Sequence, residues 1–341
     1  MKELAPAITE AIVIEHGRRA FLERLSDPYW FQAFGCVLGF DWHSSGVTTT
    51  VCGALKEGLA PRGADLGLYV AGGKGKTSRA TPNELVDIGS RIGIDGSRLA
   101  YNSRMAAKVD SAAVQDGFDI YQHSFFVSSD GEWAVVQQGM RDADGTARRY
   151  HWLGSRVSDF VNEPHAAIAS DTQQQLVLNM VASESSDART SSTEFARTEP
   201  RLVDREIARV ITLELPRRHW VDVEKDINPA HLRKVLLSTY EASPRNFEEL
   251  LAVPGVGAKA VRALAMVAEI VYSTPASMKD PARFSFAHGG KDGHPYPVNR
   301  EVYDQSVEWL RDAVDKAKIG RTDRLNALRR LAEWQTEDSS G

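Results

Sequence analysis

Pro254-Gly255-Val256-Gly257-Ala258-Lys259 sets two glycines either side of one valine, after the apolar pair Leu250-Leu251 and before a helical stretch. Glycines let a backbone turn tightly and approach an anion closely. Amides at the start of the next helix can then face a phosphate without a basic side chain. Contact of that kind is blind to nucleic-acid sequence. A plain Pro-Gly turn between packed helices is the competing reading. Asp41-Trp42-His43 puts a carboxylate, an indole and an imidazole in three positions. Trp42 could stack on a base while Asp41 or His43 hydrogen-bonds to it, or Asp41 could simply cap a loop. Gly72-Gly73-Lys74-Gly75-Lys76 could hold phosphate through its amides, Lys74 and Lys76, or be a flexible turn. Its spacing is not that of a P-loop.

A second group of polar residues lies on strand-like runs: Tyr121, His123, Gln137, Gln138, Arg148, Arg149, Tyr150 and His151. Gln and Arg read base edges or phosphates, and Tyr and His stack on bases. A solvated polar sheet face is the alternative. Strand alternation predicts Tyr121 with His123 on one face, and Arg149 with His151 on one face. His288 and His294 flank Asp292, but no third ligand stands at a matching spacing, so no metal site is predicted.

The elements that must position these residues predict an α+β fold. Leu4, Ile8, Ile12, Ile14, Phe21, Leu22 and Leu25 give residues 4–25 a roughly helical spacing. A buried helix follows from Trp30 to Phe40, then a short helix or strand from Thr48 to Leu55. Leu66–Ala71 reads as a strand, and Thr81-Pro82-Asn83-Glu84 as a helix start with Thr81 as N-cap. Residues 118–153 hold three strand-like runs separated by connections that each contain Asp-Gly, which predicts an antiparallel meander. The predicted organisation is an α+β domain over 1–182, a polar linker or mobile loop over 183–199, a helical part over 200–335 and a disordered tail over 336–341.

The composition narrows the class. The chain has 341 residues, a net charge of −5 and 42% hydrophobic residues, with 7 Trp, 9 Tyr and 12 Phe to fill a core. Disorder of the whole chain is excluded on that ground. No window is apolar enough for a transmembrane helix, and the start does not read as a signal peptide. Cys36 and Cys52 are the only cysteines, too few for a four-thiolate zinc site or an iron–sulfur cluster. A reduced, cytoplasmic protein is expected. The mild acidity excludes a histone-like basic coat but not a local DNA-binding patch.

The 250–259 run resembles the helix–hairpin–helix element of DNA-binding proteins, and its surroundings resemble the endonuclease III-like DNA glycosylase superfamily. That resemblance places Lys259 on the position of a catalytic lysine found in some members. Pro297-Val298-Asn299 looks like the superfamily's Pro-Val-Asp, with Asn299 in the apparent catalytic Asp slot. Lys259 and Asn299 stand 40 residues apart, farther than is usual there. An Asn cannot take a proton or supply full charge to a cationic sugar.

The longer motifs resemble the family called domain of unknown function 763. They are residues 26–59, Gly72–Lys76, Ala107–Phe118, Gly131–Met140, Ala147–Trp152 and Phe286–Gly293. That family tends to carry Asp at the Asn299 position, and an additional N-terminal segment is expected in its members. Some related bacterial proteins are antiphage glycosylases acting on glucosylated hydroxymethylcytosine.

The resulting expectation is a DNA glycosylase. It would flip a modified or damaged base from double-stranded DNA and break its N-glycosidic bond. Lys259, Asn299 and Asp41 are its catalytic candidates. Pro254, Gly255, Val256, Gly257, Lys74, Lys76, Arg148, Arg149 and Lys291 are its DNA contacts. Trp42, His43, Tyr121, His123, Gln137, Gln138, Tyr150 and His151 form its base pocket. No cofactor is expected, apart from a monovalent cation that the hairpin could hold. Two alternatives stay open. One is a nuclease holding magnesium on Asp41, Asp110, Asp116 or Asp119, and the other is a DNA-binding module without chemistry.

Overall fold

A computed structural model describes residues 2–40, 46–170, 172–199, 202, 229–284 and 300–338. The fold is mixed α+β, with an antiparallel sheet in the N-terminal half and helices toward the C-terminus. The sheet has five strands in the order β1-β3-β4-β5-β6: β1 (Leu68–Lys74), β3 (Asp119–Ser128), β4 (Trp133–Met140), β5 (Ala147–Leu153) and β6 (Ala167–Ser170). Neighbouring strands are all antiparallel. The meander lies at the predicted positions, and Gly131 and Gly145 supply positive φ at its two connections. A small second sheet pairs β2 (Val114–Gln115) with β7 (Leu178–Asn179).

Both faces of the large sheet are covered, so its strands are buried throughout much of their length. One face meets α1 (Leu4–Leu25), α2 (Pro28–Val37) and α3 (Val47–Leu59), a core that includes Phe21, Trp30, Phe34, Phe126 and Val136. The 48–55 run is therefore helical. Asp27 starts α2 by accepting from the amides of Tyr29 and Trp30, and Pro28 takes the first helical position. Gly17, with φ of 85°, kinks α1. A short helix α4 (Gly63–Leu66) leads into β1.

The other face meets α5 (Lys76–Ile92), α6 (Gly96–Lys108) and a π-helical turn, Val109–Ala113. Its core runs on through Phe125, Val135 and Trp152 into α7 (Ser186–Ala196), α8 (Pro229–Ala242), α9 (Phe247–Ala252) and α10 (Ala258–Tyr272). The last helices, α11 (Arg300–Lys316) and α12 (Arg321–Asp338), contribute Leu310, Val314 and Leu331 to the α1–α3 core. Each core thus takes residues from both sides of the predicted 183–199 boundary.

Three local expectations change. Residues 183–199 are not a free linker: α7 fills most of the stretch and buries Ala188, Arg189, Thr193, Phe195 and Ala196. Small Ser and Thr side chains that read as a loop allow close packing here, as when Thr193 returns its hydroxyl to the Arg189 carbonyl at 2.8 Å. The helix predicted to start at Thr81 begins at Lys76 and carries Pro82 inside it. Pro82 has no amide for the Ser78 carbonyl, and the Thr81 hydroxyl takes that acceptor at 2.7 Å instead. The tail expected from 336 is helical as far as Asp338.

Candidate functional site

The hairpin has the predicted form. α9 is capped by the Asn246 side chain, which accepts from the Glu249 amide at 2.9 Å. Gly255 takes φ of +89°, a conformation that favours glycine. Val253 and Val256 are buried and anchor the turn, while Pro254, Gly255 and Lys259 are exposed. Gly257 is the N-cap of α10 and brings no side-chain acceptor, so the first amides of this 15-residue helix are not capped from within. The space a Cβ would enter at Gly257 is open.

Residues 108–116 hold the hairpin from behind. Lys108 Nζ donates to the Val253 carbonyl at 3.1 Å, and burial of its ammonium pulls its pKa below the usual lysine value. Gln115 Nε2 donates to the Ala258 carbonyl at 2.7 Å, and Gln115 Oε1 accepts from Arg262 Nε at 2.7 Å. The side chains of Asp110 and Asp116, on the same segment, enter the sheet. The π-helical turn lies where α6 gives way to β2, and such wide turns often mark functional sites.

Asp110 is fully buried and accepts from three donors. Gln137 Nε2 and Trp152 Nε1 (2.9 Å) reach Oδ2, and His165 Nε2 reaches Oδ1 at 2.5 Å. Gln137 Nε2 also donates to the Ala106 carbonyl, so its Oε1 is the acceptor facing His123 Nδ1 at 2.7 Å. His123 Nδ1 therefore carries the proton and Nε2 accepts from the Ser103 hydroxyl at 2.8 Å. Burial holds the His123 pKa below the ordinary histidine value, against the opposing pull of Gln137 and Asp110. Asp116 accepts from Tyr150 (2.6 Å), from Arg148 Nη1 (2.9 Å) and from the Phe118 amide. Arg148 also forms a two-point pair with Asp280 at 3.0 and 2.7 Å.

A cavity of ≈ 450 Å³ opens beside β6, lined by Glu163, His165, Ser277, Lys279, Asp280 and Arg283 among others. His165 is the residue on which the Asp110 network reaches it. Its side chain is 8% exposed, and its ring lies 4.5 Å from that of Trp152. Asp110 accepts from Nε2–H, which orients the ring and leaves Nδ1 on its other side. The loop that carries it is strained: Glu163 has φ of 45° and precedes Pro164, a position that disfavours helical backbone. The Glu163 amide is tied to the Val181 carbonyl at 2.7 Å. Arg189 of α7 holds Asn162 Oδ1 and the Met180 and Ala182 carbonyls around it. A second cavity, also ≈ 450 Å³, shares Ala166, Ala167 and Phe284 with the first and adds Arg24, Tyr29, Arg156 and Trp309.

The polar sheet residues are not laid out as predicted. His123, Gln137, Gln138, Arg148, Arg149, Tyr150 and His151 are all buried against protein rather than presented to a ligand surface. Helices cover both faces, so the Gln and Arg donors satisfy the interior instead of base edges or phosphates. Arg149 donates to Gln32, the Pro28 carbonyl and His151 Nε2, and lies 4.6 Å from the Phe31 ring. Burial, and then Arg149, push the His151 pKa well below the ordinary value. A bulge between Ile120 and Gln122 breaks the alternation that predicted Tyr121 and His123 on one face. The Tyr121 hydroxyl instead accepts from Gln138, whose neighbour Gln137 points to Asp110.

Lys74 and Lys76 are exposed at the end of β1 and the start of α5. Gly72 and Gly73 lie within β1, and a Cβ on Gly72 would stand 2.2 Å from the His123 carbonyl oxygen, so close strand approach accounts for that glycine. Asp41, Trp42, His43, Lys291 and Asn299 lie outside the described residues, as do His288, Asp292 and His294. Lys259 lines neither cavity. Asp110 and Asp116 are enclosed by donors, Asp119 is exposed, and the described residues contain no group of three metal-ligating side chains. Nothing in the sequence singles out His165, since Glu163-Pro164-His165 carries no periodic or spacing signal.

Residues 1–298 match the family model described as Protein of unknown function (DUF763). No curated protein matches the chain, and no solved structure does. The matched span stops one residue before Asn299. Among the described residues no helix is long and apolar enough to cross a membrane.

Proposed function

The chain belongs to the DUF763 family, and we propose that it acts on duplex DNA as a glycosylase, removing a modified or damaged base and leaving an abasic site. The observation that carries this reading is the hairpin. Its exposed Pro254-Gly255 tip, its buried valines and the uncapped amides of α10 suit a phosphate oxygen. Lys108 of α6 and Gln115 of β2 hold it through hydrogen bonds to the Val253 and Ala258 carbonyls. In this reading Lys259, exposed on the first turn of α10, adds charge at the same phosphate. A grip that ignores sequence leaves recognition to a nucleotide extruded from the stack.

The test incubates the protein, in EDTA and in parallel with magnesium, with a panel of duplexes carrying damaged bases, hydroxymethylcytosine or its glucosylated form. Mass spectrometry then looks for released base, and alkali for strand breaks. Free base with alkali-dependent breaks is the expected result. Breaks without alkali that require magnesium would make the protein a nuclease. Binding with neither outcome would make it a DNA-binding module.

A further inference from the structure

We propose that the cavity beside β6 receives the flipped nucleotide, and that His165, oriented by Asp110, is the base that faces it. This rests on the glycosylase reading. Its volume of ≈ 450 Å³ lies within the range of small-molecule sites. The lining supplies what a nucleotide needs. Phe284 offers an aromatic ring to stack on, and exposed Arg283 beside it suits a phosphate. Asp280 and Lys279 are already engaged, with Arg148 and Glu184. His165 is the wall residue backed by a fully buried carboxylate.

The arrangement has the parts of a general base. Asp110 fixes the tautomer and orientation of the imidazole, while Gln137 and Trp152 fix Asp110. In the reaction, water oxygen bonds to C1′ of the sugar as the C1′–N bond breaks, its electron pair leaving with the base. His165 Nδ1 takes one proton from that water and returns it to the departing base, so the products are the free base and an abasic sugar. Asp110 balances the transient imidazolium and is a positioning residue. The strained Glu163-Pro164 step, held by Val181 and Arg189, is where strain stored for function is found. Lys108 and Asp110 hang the hairpin and the imidazole from one turn, two residues apart.

Carbethoxylation by diethyl pyrocarbonate, mapped by mass spectrometry on the full chain, tests this directly. The probe is a duplex containing a tetrahydrofuran abasic-site analogue. His165 should react in the free protein while buried His123 and His151 do not. Bound duplex should slow its reaction at least about tenfold, as a nucleotide seated in the cavity excludes the reagent. Equal reaction with and without bound duplex overturns the proposal. His165→Gln keeps a donor for Asp110 but no base. It should bind duplex within about twofold of wild type and release base at least about 100-fold more slowly in single turnover. Undiminished release in that variant also overturns the proposal, while leaving the glycosylase reading in place. Protection of His165 in a wild-type protein that releases no base would sink the glycosylase reading and support the cavity as a nucleotide site.

Discussion

The ammonium of Lys108 donates to the carbonyl oxygen of Val253 at 3.1 Å, across 145 positions of sequence. Through that bond the end of α6 grips the turn that precedes Pro254 and Gly255. Two residues further on, Asp110 holds His165 at the cavity. The hairpin and the cavity wall are therefore both hydrogen-bonded to one short segment, residues 108–110.

Lys108→Met should loosen the hairpin without unfolding the protein. The methionine fills the same half-buried channel but leaves the Val253 carbonyl without its donor. A net hydrogen bond contributes about 1 kcal/mol, so the change in unfolding free energy should be of that order. Hydrogen exchange across residues 253–258 should accelerate and duplex affinity should fall several-fold. Unchanged exchange there would remove Lys108 as the anchor.

Acid should destabilise the fold earlier than carboxylate titration alone would. His123 and His151 have folded pKa values below the ordinary one, His151 well below. The unfolded chain therefore takes up protons first as pH falls, and this share of stability, present above about pH 6.5, is lost below it. Each histidine that stays neutral contributes a slope of about 1.4 kcal/mol per pH unit in that range. His151→Gln keeps an acceptor for Arg149 and should flatten the slope of urea midpoints between pH 6.5 and 5. An unaltered slope would mean that His151 is not the neutral group.

Lys259 should behave as a phosphate contact and not as a nucleophile. It is exposed and lines neither cavity. Borohydride should therefore trap no covalent protein–DNA adduct. Lys259→Ala should weaken duplex binding for every sequence and reduce the salt slope by about 1. A trapped adduct that disappears in Lys259→Ala would restore it as a Schiff-base lysine.

Some of this was legible in the residues. Asp-Gly connections mark the meander, and Pro-Gly-Val-Gly with its apolar lead-in Leu250-Leu251 marks the hairpin. Both depend on local backbone chemistry. The polar sheet residues misled because their types suit nucleic acid equally with an interior, and only the helices packed on both faces decide between the two. Arg148 illustrates the point: its partners Asp116 and Asp280 lie 32 and 132 positions away. His165 was illegible for the same reason, since its partner Asp110 is 55 positions away and no short motif joins them. The Thr81 helix start was displaced because a neighbouring hydroxyl replaced the missing proline amide, which a capping pattern does not encode.

The most direct test of the hairpin as a phosphate grip is the salt dependence of duplex binding by wild type and Gly257→Asp. The substitution is clean, because φ at Gly257 is −124° and a Cβ there meets open space, so the variant should fold with an unchanged melting temperature. Its carboxylate would stand at the uncapped start of α10, where a phosphate would otherwise sit. The expected result is affinity at least about tenfold weaker for all sequences, or about 1.4 kcal/mol, with a shallower dependence of log K on log salt. A folded variant with wild-type affinity and slope would contradict it, and would take the hairpin out of the DNA interface.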